Sequence, residues 1–65
     1  MIILSVKGME RLNSIADKYK FRNCFEIEQG EVYDFCNAFI RCVNLGLNVD
    51  VEDYDFIIDV RDRLI

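Results

Sequence analysis

Three glycines and not one proline punctuate this chain of 65 residues, and the glycines stand at 8, 30 and 46. Glycine is the weak point of both helix and strand, and without proline nothing else interrupts the backbone so strongly. The stretches between these glycines are long enough for a helix and longer than an ordinary strand. A sequence cut in this way is predicted to be a mostly α, three-helix domain spanning 1–65.

Apolar periodicity places the helices. In the first, over about 9–22, Met9, Leu12, Ile15, Ala16 and Tyr19 share one stripe, with Glu10, Arg11, Asp17 and Lys18 on the opposite side. The second is expected over about 31–45, where Val32, Phe35, Cys36, Phe39, Ile40, Cys42 and Val43 cover half the circumference. Gly46 is placed to end it. The third is expected over about 51–64. Asp50 is its cap, Glu52 and Asp53 stand at the positive end of its dipole, and Arg61 and Arg63 stand at the negative end.

Residues 2–6 precede the first glycine and are rich in β-branched side chains. They read as a short strand pairing with 24–28 or across a dimer, or as an extended arm. A two-stranded sheet of this kind is marginal without a third strand.

The third helix carries more apolar surface than a surface helix needs. Tyr54, Phe56, Ile57, Val60 and Leu64, together with Val51 and Ile58, leave only a narrow polar stripe. A chain this short has few other elements to cover them. These residues are therefore the expected interface with another chain. Glu52, Asp55, Asp59 and Asp62 form the remaining stripe, an acidic face suited to a basic partner.

Charge separates along the chain. Residues 1–24 hold five basic against two acidic side chains, and 25–65 hold three against ten, for a net charge of -4. This balance opposes general attraction to nucleic acid or to an anionic membrane. The one patch suited to nucleic acid is Lys18, Lys20 and Arg22, with Tyr19 and Phe21 between them. No run approaches the length of apolar sequence that a membrane span requires.

Catalytic signatures are missing from the sequence. Histidine is absent, and with it the usual base near neutral pH and the commonest metal ligand. Cys24, Cys36 and Cys42 are odd in number and show no CxxC spacing, so they read as core thiols in a reducing compartment. Asn48, Asp50, Glu52, Asp53 and Asp55 resemble a calcium loop, but Asp53 stands where that loop needs glycine and Asp59 where it needs glutamate. No metal or cofactor is expected.

The function expected from the sequence is that of a small acidic protein–protein interaction module. It would act as a homo-oligomer, or as an inhibitor or adaptor covering a site on a larger protein. One alternative is a nucleic-acid-binding module using 18–22. Another is an enzyme whose site is shared across a dimer. Cytoplasmic location is expected, and the size and plainness of the chain fit products of phages or mobile elements.

Overall fold

The computed structural model describes residues 4–21 and 27–64. It contains three α-helices: α1 at Val6–Lys18, α2 at Val32–Asn44 and α3 at Val51–Arg63. A short 3-10 turn at Gln29–Glu31 leads into α2. No β-strand occurs among the described residues. The chain divides into two compact units, residues 1–32 and 33–65.

Helix α1 starts three residues earlier than its apolar pattern predicts. Ser5 adopts an extended conformation at the N-cap, and its Oγ accepts a hydrogen bond from the Gly8 amide at 3.1 Å. That bond satisfies one of the amides that a helix start leaves without a carbonyl. Gly8 therefore lies inside the first turn and does not separate two elements. The strand expected at 2–6 is not formed at its described positions, because Ser5 is the cap and Val6 is already helical. Residues 2 and 3 lie outside the described residues, as do 24–26 of its expected partner.

The other end of α1 also departs from expectation. The helix stops at Lys18, short of 22, because Lys20 takes the left-handed conformation with φ 60°. The Lys20 amide donates to the Asp17 carbonyl at 3.2 Å and the Phe21 amide to Ala16 at 2.7 Å. This is the paired closure of a Schellman motif, which turns the chain out of the helix.

The same motif ends α2, here with the residue that favours it. Gly46 has φ 116°, its amide donates to Val43 at 3.0 Å, and the Leu47 amide donates to Cys42 at 2.9 Å. A side chain at Gly46 would meet no neighbour, so the backbone conformation alone calls for glycine there.

In the first unit the buried side chains are Leu4, Leu12, Ile15, Ala16 and Val32. Leu12, Ile15 and Ala16 are the centre of the predicted α1 stripe. Two amide side chains tie the segment before α2 to α1 and to the residues ahead of it. Gln29 Oε1 accepts from the Leu4 amide at 3.0 Å while its Nε2 donates to the Leu4 carbonyl at 2.8 Å. Asn13 Oδ1 accepts from the Ile27 amide at 2.8 Å while its Nδ2 donates to the Met9 carbonyl at 2.9 Å. Each amide thus satisfies backbone groups outside the helices, at Leu4 for Gln29 and at Ile27 for Asn13.

In the second unit Cys36, Phe39 and Ile40 of α2 and Ile57 and Val60 of α3 are buried. Their spacings are those of helical inner faces, and Phe35 and Phe39, one turn apart, hold their rings tilted with centroids 6.0 Å apart. Asp50 stands at the α3 N-cap as expected, but its side chain accepts no bond from the first amides of the helix. At the entry to α2, Glu31 reaches back instead: its Oε1 accepts from the Glu28 amide at 3.0 Å.

Candidate functional site

The apolar residues predicted as an interface on α3 separate into two groups. Ile57 and Val60 are 0% and 1% exposed, taken up by the chain's own core. A partner docking on the folded chain has no access to them. Tyr54, Phe56 and Leu64 are half-buried, as is Ile58. The excess apolar girth of α3 is therefore met in large part within this chain. The sequence pattern shows the girth and not how much of it the chain itself covers.

Instead, the strongly exposed apolar residues of the second unit stand at the α2–α3 connection. Leu45 follows the last turn of α2 and Val51 opens α3, and they are 81% and 73% exposed. Between them Leu47 and Val49 are half-buried. Leu45 occupies the residue before Gly46, whose positive φ closes the helix. Val51 belongs to the predicted apolar set of α3 by spacing, but it lies in the first turn beyond the reach of the buried face. The sequence carries a signal for Leu45 alone, since Leu-Gly at a helix end leaves an apolar side chain beside the turn.

Beside Val51 the acidic face begins. Glu52, Asp55, Asp59 and Asp62 are all exposed, and their spacing of three, four and three residues aligns them along roughly 15 Å of α3. Asp59 is engaged by Arg63, whose Nη2 lies 2.8 Å from its Oδ2. Both partners are solvated, so the pair contributes little stability and moderates the charge of the stripe only at its C-terminal end. The exposed face of α3 thus runs from apolar at Val51 to anionic along the helix.

On the other side of α3, Arg61 is half-buried. Its Nε is sealed from solvent without a hydrogen-bond partner. Its guanidinium acts on the Cys36 thiol across the α2–α3 packing and favours the thiolate. Burial of the thiol outweighs that effect and raises its pKa from 9.0 to about 11. Cys36 is thus a protonated core side chain at neutral pH, ill suited to act as a nucleophile. Cys42 is a half-buried free thiol, and Cys24 lies outside the described residues.

The basic patch fares less well as a unit. Lys18 and Lys20 are exposed, but Lys18 Nζ lies over the Tyr19 ring at 5.3 Å from its centroid. A ring covered by a neighbouring ammonium is a poor platform for a stacked base. Arg22 lies outside the described residues. Among the described residues no three histidine, cysteine, aspartate or glutamate side chains gather as a metal site, and no helix is long and apolar enough to cross a membrane.

The first unit carries a groove of about 800 Å³ along α1. Leu4, Val6 and Met9 supply its apolar part, Glu10 and Asp17 its carboxylates, and Asn13 and Gln29 the amides that pin its wall. Sequence reading missed it because its wall depends on side-chain contacts between residues 14 and 25 positions apart. Comparison with known protein families, with curated proteins and with solved structures gives no match to this chain.

Proposed function

We propose that this protein is a protein–protein interaction module whose second unit docks on a basic, partly apolar surface of a larger protein, as an inhibitor or adaptor. The observation that carries this reading is the exposure of Val51 at the head of an exposed acidic stripe, with Leu45 also exposed in the connection that leads into α3. Apolar side chains supply the buried centre of an interface, and the flanking carboxylates select a partner of opposite charge and speed its approach.

A homo-oligomer formed through this same face is the weaker form of the proposal. A two-fold contact sets the same patch on both subunits, so Glu52, Asp55, Asp59 and Asp62 would meet their own copies. Like charges brought together in a desolvated contact oppose association. Nucleic-acid mimicry fits as one version of the heterologous reading, with the stripe occupying a groove that otherwise holds phosphates. A reducing, cytoplasmic setting belongs to the same proposal and is supported by Cys36, a free thiol held in the core.

The test uses a synthetic amphipathic helix of leucine and lysine as the probe, titrated against the full chain at low and moderate salt. One-to-one binding that weakens with salt is expected, with loss in both Asp55→Lys/Asp59→Lys and Leu45→Ser/Val51→Ser. Unchanged binding in both double variants would sink the proposal. Sedimentation at micromolar concentration is expected to give a monomer; a stable dimer that Leu45→Ser/Val51→Ser disrupts would show instead that the apolar end serves self-association.

A further inference from the structure

We draw no further inference here: the strongest candidate, the groove along α1 lined by Leu4, Val6, Met9, Glu10 and Asp17, has only exposed carboxylates for charge, and nothing in the structure shows what covers it.

Discussion

Two positions show how one backbone conformation can be easy or hard to read from residue type. Gly46 and Lys20 both take positive φ at the close of a helix, with the same pair of closing hydrogen bonds. Glycine is the usual residue there, so the end of α2 was legible; lysine has no preference for that conformation, so the end of α1 was not. Opposite outcomes follow from substitution. Lys20→Gly should stabilise the chain by about 0.5 to 1 kcal/mol, and Gly46→Ala should destabilise it by about 1 kcal/mol, as read from denaturant midpoints. Cys36 gives a prediction in pH. Its thiol keeps its proton to about pH 11 in the folded chain, whereas in an unfolded chain it ionises near its ordinary 9.0. Stability from this group is complete below pH 9.0, falls as pH rises from there, and is fully lost by about 11. Cys36→Ala should flatten that part of the stability profile relative to wild type, whatever it costs in packing; an unchanged alkaline slope would show that the thiol is not the group responsible.

Among the elements, α2 followed its apolar pattern most closely, because its inner face, its acidic start and its glycine end all agree. Helix α1 did not, for a reason that lies outside periodicity. Its first turn is Val6, Lys7 and Gly8, which carry no amphipathic signal, and Ser5 alone defines the start. The elements also depend on contacts that sequence spacing does not announce. Gln29 and Asn13 bond to backbone groups 25 and 14 residues away. Gln29→Ala should cost about 1 to 3 kcal/mol, since it leaves both polar groups of Leu4 to find water in a partly buried site. Hydrogen exchange offers the check: the Leu4 amide should lose protection in Gln29→Ala while the Ile27 amide keeps it, and Asn13→Ala should do the reverse. A uniform loss at both would mean that the two clasps open together. For the candidate surface, the acidic stripe of α3 was readable because three- and four-residue spacings fix a face. Its apolar end was not, because the exposure of Val51 is decided by where the core stops.

At the level of the whole molecule the net charge of -4 sets how the chain meets others. Asp55→Lys/Asp59→Lys reverses two charges on an exposed stripe and should change stability by no more than about 1 kcal/mol while removing most salt-sensitive binding to a basic probe. Thermal unfolding of the variant separates that result from simple loss of the fold. The division into two units has a further consequence, in time. Each unit is continuous in sequence, so its contacts close loops no longer than about half the chain. Short loops are cheap to close, and helical proteins rich in near-neighbour contacts fold in microseconds to milliseconds. The chain also contains no proline, so it has no slow prolyl isomerisation to wait for. Leaving denaturant, it should refold within milliseconds with no phase lasting seconds, and its apolar side chains would spend little time open to aggregation.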